Sequence, residues 1–411
     1  MVAQIVRRCA MIRSRGFSHT ALDVRTKSSV SELPGTSVST ETASSSAIFP
    51  INIVGNTPFY GQTPSRLFEG ALPIKVVGDR KLGLICPNVD LRKNQQWSAA
   101  DVAEIKKQIQ AHRGVLTFPN QSEDLSPRDH MNFASHFGSM EIHTAVKGLP
   151  GYPEVMQIER EPTAKVVFGE QFHSDHSFQR HPASFSFLRV TNEVSPYGTN
   201  NTQFTNTIDA YADLSPLMKS LLRGLWVSHS ATKAYGESDQ GDKGGHRGNS
   251  LYAMKETKNM ELTNTPPIAD QHHPVVIVHP ETGKPALFIS ETFTNGIVGM
   301  THTEGMELIL MLQRHLTQDK YLFEVAYEAN QVSMWDNRQL IHVGLVTDTS
   351  CRRVIQRVSV SSGAIPIALH EWQAADGQFD VALSLAQQRK DTDAMATGVW
   401  QQALGGPNHW Q

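Results

Sequence analysis

Two histidines and an aspartate stand where folding could bring them onto one ion. His173 and Asp175 are one residue apart in Phe172-His173-Ser174-Asp175-His176, and His342 follows Trp335-Asp336-Asn337-Arg338-Gln339-Leu340-Ile341 far downstream. Two imidazoles and one carboxylate hold a non-haem Fe(II) by one face and leave the opposite positions open for chemistry. Arg353, eleven residues beyond His342, adds a fixed cation. In an extended strand alternate side chains share a face, so His173 and Asp175 are expected to point one way and Ser174 and His176 the other. The pair alone decides little in a chain with 18 histidines. The third ligand must come from a distant strand laid alongside.

Longer stretches carry a resemblance. Gln171-Phe172-His173-Ser174-Asp175-His176-Ser177-Phe178 is one, and Asn201-Thr202-Gln203-Phe204-Thr205-Asn206 with Asp209-Ala210-Tyr211 is another. Met334-Trp335-Asp336-Asn337-Arg338, continuing to Arg353 and Arg357, is a third; a fourth runs from His273-Pro274 through His279-Pro280-Glu281-Thr282-Gly283-Lys284 to Glu291-Thr292-Phe293-Thr294. Together, over roughly residues 110–362 and in order, they resemble the Fe(II)- and 2-oxoglutarate-dependent dioxygenases of the taurine dioxygenase (TauD/TfdA-like) family. The resemblance implies that His173, Asp175 and His342 are the iron ligands and that Arg353 and Thr202 take the distal carboxylate of 2-oxoglutarate. It also implies that His143, Phe293 and Arg357 face the substrate.

An arginine suits the co-substrate because its planar fork meets a carboxylate with two parallel hydrogen bonds and stays charged at any working pH. On one strand Arg353 and Arg357 would share a face; the bland alternative is a solvated cationic edge made by Arg352, Arg353 and Arg357. Phe172 replaces the family's usual tryptophan, and Val166-Val167-Phe168-Gly169-Glu170 lacks the asparagine that contacts the sulfonate in the taurine enzyme. These departures argue against taurine itself.

The implied chemistry is oxidative decarboxylation of 2-oxoglutarate to succinate and carbon dioxide. It consumes dioxygen and is coupled to hydroxylation of an unactivated carbon in a small organic substrate, anionic if Arg357 binds it. Related halogenases lack the carboxylate ligand, so Asp175 points to hydroxylation. The protein's share of such work is orientation and exclusion of competing reactions. Two other readings use the same residues. A zinc hydrolase could employ this ligand set, but it leaves Arg353 and Thr202 without a task. A catalytically silent barrel acting as a binding module is the other, and the intact ligands argue against it. Among neighbouring residues, His176 is expected to face away from the metal as a supporting or packing residue. His272, His273 and His279, beside Pro274 and Pro280, read as structural residues on turns. Asp336 and Asn337 read as strand-end residues that position the approach to His342.

The elements that must present these groups show in the pattern. Ser98 caps an expected helix through about His112, with Asp101 in its first turn. Val115–Phe118 reads as a strand, and Ser126-Pro127 opens a helix ending near Phe137-Gly138. Phe185–Val190 and Val354–Val360 alternate as half-buried strands. The expected fold is mainly β with flanking helices, and the resemblance makes it a double-stranded β-helix, or jelly roll. The glycine- and charge-rich stretch between about Lys233 and Ser250 reads as a mobile loop and candidate lid.

Composition excludes several classes. With 37 basic and 40 acidic residues and a net charge of −3, no strong field favours nucleic acid or an anionic membrane surface. Cys9, Cys86 and Cys351 are too dispersed for a disulfide framework or zinc knuckle. No apolar run of about 18 residues suggests a spanning helix. Residues 1–22 carry Arg7, Arg8, Arg13 and Arg15, scattered apolar residues and no acid until Asp23. That is the profile of an organelle-targeting segment, so an intracellular site, mitochondrial ahead of cytoplasmic, is expected. The expected organisation is a targeting segment and flexible linker over 1–48, a catalytic jelly-roll domain over 49–375, and a tail over 376–411 that is helical or partly disordered. The tail packs on the barrel or on a second subunit, which leaves a homo-oligomer open.

Overall fold

A computed structural model describes residues 66–78, 80–92, 97–162, 169–235 and 269–388. The expected targeting segment, the linker, the candidate lid from residue 236 onward, Val166-Val167-Phe168 and the chain after 388 lie outside the described residues.

In chain order the strands are β1 (Leu72–Val77), β2 (Arg80–Ile85), β3 (Val115–Phe118), β4 (Ser139–Met140), β5 (Met156–Arg160), β6 (Phe185–Val190), β7 (Thr202–Asn206) and β8 (Trp226–His229). They continue with β9 (Gln271–Pro274), β10 (Val276–Val278), β11 (Pro285–Leu287), β12 (Thr294–Ile297), β13 (Leu322–Val325), β14 (Val332–Asp336), β15 (Leu340–Gly344) and β16 (Arg353–Ser361). The large sheet runs β1-β2-β3-β14-β6-β16-β4, with β5 also on β16. Among the described residues only its β2–β3 pair is parallel. The remaining strands form separate small sheets, β13-β7-β15, β12-β8-β9 and β10-β11. The architecture is mainly β with flanking helices, of the jelly-roll type, as expected; among the described residues the sheets do not close into a barrel. Pro274 ends β9 and Pro285 opens β11. Neither has an N–H to extend a ladder.

The expected half-burial of β6 gives way to burial of all six residues. Its parity explains the result. Phe185 and Phe187 join Phe118, Phe133, Phe137, Met334, Val358 and the helical residues Ile105 and Ile109 in one core. On the opposite face Leu188 and Val190 join Phe204, Phe323, Tyr327 and Trp335. The Phe133 and Phe187 rings meet edge to face at 5.7 Å, a favoured quadrupole arrangement. The covering helices start at the expected caps. Ser98 and Ser126 accept from the N–H groups of Asp101 and Asp129, whose carboxylates return the bond, and Pro127 occupies the first turn of the second helix.

One buried lock controls the β14–β15 turn. Asp336 accepts from Arg338 Nη2 at 2.8 Å, from Gln110 Nε2 at 2.9 Å and lies 2.9 Å from His279 Nε2. Arg338 Nη1 also donates to Glu281 at 2.8 Å. Burial raises the Asp336 pKa, but the adjacent Arg338 and His279 more than offset it and leave the carboxyl well below the usual range. His279, Glu281 and Asp336 bring ligand atoms within 4.8 Å of one another, whereas His272 and His273 lie within strand β9 and not on a turn. Because β14 belongs to the large sheet and β15 pairs with β7, the hairpin crosses between faces and carries His342 with it.

Candidate metal centre

His342 sits in β15 opposite Phe204 of β7. His173 is tied to it by reciprocal backbone bonds, His173 N–H to His342 O at 2.9 Å and His342 N–H to His173 O at 2.8 Å. The two imidazole centroids are therefore only 4.3 Å apart. Beyond His173 the chain turns, with His176 at φ +54°. His173 and Asp175 converge ahead of this turn, while Ser174 Oγ donates to the Asn337 carbonyl and His176 faces Glu141. Asp175 Oδ1 lies 3.6 Å from His173 Nε2, and Oδ2 lies 4.0 Å from His342 Nε2. All three side chains are buried.

The donor set fits a first-row divalent metal. Ligand atoms from all three residues lie within 4.8 Å of one another. Cis ligands about 2.1 Å from such an ion stand about 3 Å apart, a spacing small side-chain rotations would reach. His173 Nδ1 faces the Gln171 carbonyl at 2.8 Å, so this nitrogen carries the proton and Nε2 presents its lone pair to the centre. Burial lowers the pKa of both histidines, that of His342 to about 3. Both rings are then in the neutral, ligating form. Burial pushes Asp175 up, but the adjacent Arg357 guanidinium pulls it below the usual carboxylate range.

Asp175 is also held from behind. Ser186 Oγ donates to Oδ2 at 2.6 Å, and Asn337 Nδ2 donates to Ser186 Oγ at 2.9 Å. Asn337 Oδ1 accepts from the Asp175 N–H at 3.2 Å and from Trp335 Nε1 at 3.0 Å. Arg357 Nη1 donates to Oδ1 at 2.5 Å, and Arg357 Nη2 rests 3.4 Å from Met156 Sδ. Asn337 therefore holds the Asp175 main chain directly and its carboxylate through Ser186, beyond guiding the approach to His342. Sequence reasoning missed Ser186, whose signal was a lone hydroxyl on the site-facing parity of β6.

Arg353, Arg357, Thr202, His173, His342 and Trp335 line one cleft. Neighbouring arginines separate at the start of β16. Arg352 is spent on Glu159, Glu161 and Glu193 at the rim, while Arg353 turns inward with its Nε buried and without a hydrogen-bond partner among the described residues. The edge reading suits Arg352 alone. Thr202 is buried, lines the same cleft and accepts from Tyr327 Oη at 2.8 Å.

Around the ligands, His143 Nδ1 accepts from the N–H groups of Ala145 and Val146 at 3.1 and 3.0 Å. Its Nε2 must then carry the proton, and that N–H is buried without a partner among the described residues. The His143 ring lies 5.2 Å from His176, whose Nδ1 faces Glu141. Phe293 is 6.1 Å from His173, and Phe178 and Tyr235 extend an aromatic wall beside it at 4.9 and 5.7 Å.

The sequence profile of the family described as taurine catabolism dioxygenase TauD, TfdA family matches residues 75–359. The chain belongs to this family. Membership makes it an Fe(II)- and 2-oxoglutarate-dependent oxygenase that uses dioxygen, and the ligand set and inward arginine described above suit those requirements. Among TauD/TfdA relatives, the alpha-ketoglutarate-dependent sulfonate dioxygenase of Saccharomyces cerevisiae is 28% identical over 283 residues, covering 66% of this chain and 64% of that protein. The chain thus spans just under two thirds of that relative's length. The alpha-ketoglutarate-dependent sulfate ester dioxygenase of Pseudomonas putida is 27% identical over 281 residues, covering 68% and 85%. The crystal structure of a taurine dioxygenase from Burkholderia xenovorans superposes with a TM-score of 0.55 at 25% identity, covering 72% of this chain and 92% of that one. Among the described residues no helix is long and apolar enough to cross a membrane.

Proposed function

We propose that this TauD/TfdA protein hydroxylates an unactivated carbon of a small organic anion while converting 2-oxoglutarate and dioxygen to succinate and carbon dioxide. The observation that carries this reading is one cleft lined by His173, His342, Thr202 and Arg353, with Asp175 clustered against the two histidines. His173, Asp175 and His342 would hold Fe(II), which supplies the oxidative chemistry once 2-oxoglutarate is bound. Arg353 and Thr202 would grip the distal carboxylate of the co-substrate and fix its orientation. The His143 Nε2–H and Arg357 would meet the substrate's anionic group, with Phe293 as an apolar wall. The sulfonate and sulfate ester named for two relatives support an anionic substrate class.

The same reading takes residues 49–375 as the catalytic domain and 376–411 as an appended tail. Residues 1–48 serve as a mitochondrial targeting segment and linker. Pairing of two copies through the tail belongs to the same proposal.

The test is succinate release by purified, iron-loaded protein offered alkyl sulfonates, sulfate esters and carboxylates. A coupled hit that needs iron, dioxygen and 2-oxoglutarate, and that His173→Ala abolishes, is the expected result. In Arg357→Ala, which also removes a partner of Asp175, the KM for anionic substrates should rise at least ten-fold more than that for neutral analogues. Equal loss with both classes would contradict the substrate role of Arg357.

A further inference from the structure

Tyr327 touches both residues assigned to the far end of the co-substrate. It follows β13 by two residues, and β13 pairs with β7 in a register that sets Val325 opposite Thr202. The side chain is buried among Phe204, Phe323 and Trp335. Its Oη donates to Thr202 Oγ1 at 2.8 Å, and the Arg353 guanidinium carbon stands over its ring, 5.5 Å from the centroid.

The direction of that hydrogen bond has a consequence for Thr202. A threonine hydroxyl has one proton to give and two lone pairs to fill. With one lone pair taken by Tyr327, the hydroxyl is turned so that its own proton is free for another acceptor. A carboxylate accepts only, so it needs a threonine presented in this way. Burial raises the phenol pKa, which keeps the Tyr327 proton in place through the neutral range. The ring's second contact acts on the arginine. An aromatic face attracts a guanidinium and restricts its plane, and Arg353 Nε has no hydrogen-bond partner among the described residues to do that work.

We propose that Tyr327 is a positioning residue for 2-oxoglutarate: its hydroxyl sets the donor direction of Thr202, and its ring holds the plane of Arg353 for a two-point grip on the distal carboxylate. The inference rests on the assignment of Arg353 and Thr202 to that carboxylate. It adds a residue that touches neither metal nor co-substrate and acts through the two that do.

The test is calorimetric titration of 2-oxoglutarate into the full chain loaded with Mn(II) in the absence of dioxygen, so that binding is read without turnover. Tyr327→Phe keeps the ring and removes the hydroxyl, and should weaken binding roughly three- to ten-fold, the scale of one hydrogen bond. Thr202→Val should weaken it at least as much. The double variant should bind no worse than Thr202→Val alone, because the phenol acts through the threonine. Tyr327→Leu removes both contacts and should weaken binding further than Tyr327→Phe, while Mn(II) affinity stays within two-fold of the parent in all four variants. Affinity within two-fold of the parent in Tyr327→Phe, or full additivity with Thr202→Val, overturns the proposal. Arg353→Ala separates the two levels. If it and Thr202→Val both leave 2-oxoglutarate affinity unchanged, the pocket assignment itself fails and the role of Tyr327 with it. If they weaken binding while Tyr327→Phe does not, only Tyr327 is wrongly assigned.

Discussion

Asp175 is the ligand whose surroundings do most to prepare the site. A lone buried carboxylate would be costly, and this one receives Ser186 on Oδ2 and Arg357 on Oδ1, which hold it beside the two histidines before a metal arrives. Partners behind a ligand typically set 10- to 100-fold in metal affinity. Ser186→Ala should therefore weaken Mn(II) binding by about that factor, read by titration of the metal-free protein, with Ser186→Thr restoring part of it. Unchanged affinity in Ser186→Ala would show that the hydroxyl merely fills space. The ligands themselves were legible because the longer stretches around them, in order along the chain, carry a resemblance that the His-x-Asp pair alone does not. Ser186 was not legible, since in Phe185-Ser186-Phe187 it reads as the polar step of an ordinary strand, and only the packed sheet shows that this parity faces Asp175.

At the scale of elements, the β14–β15 turn links the lock at Asp336 to the centre through Asn337 and His342. Removing one member of a buried ionic network leaves its partners uncompensated and costs about 3–5 kcal/mol. Asp336→Ala should lower stability by that order in denaturant unfolding and weaken metal binding as well, because the turn carries Asn337. The pH dependence has a definite sign. The folded-state pKa of Asp336 lies below its unfolded value of about 3.9. Its contribution is thus complete above that value and is lost as pH falls through and below it. Asp336→Asn should flatten the acid side of the stability profile; an unchanged slope would mean that other carboxylates dominate acid unfolding. Helix starts at Ser98 and Ser126 were legible because capping is local chemistry written in three or four residues. Burial of both faces of β6 was not, because it depends on helices and loops supplied from elsewhere in the chain.

Across the whole molecule, the site lies between the large sheet and the small sheet β13-β7-β15. Each contributes what the other lacks. The large sheet brings Ser186, Arg353 and Arg357, and the small one brings Thr202 and His342. The family's jelly-roll architecture could be inferred from the ordered motifs, whereas the failure of the sheets to close could not. Closure depends on where ladders stop, and Pro274 and Pro285 take effect only once neighbouring strands are known.

The most direct measurement is a crystal structure of the full chain with Mn(II) and N-oxalylglycine, a non-reactive analogue of 2-oxoglutarate. The account predicts one ion bound by His173 Nε2, Asp175 and His342 Nε2, with the analogue's distal carboxylate on Arg353 and Thr202. An ion held instead by His279, Glu281 and Asp336, or a distal carboxylate on Arg357 with Arg353 left free, would contradict it.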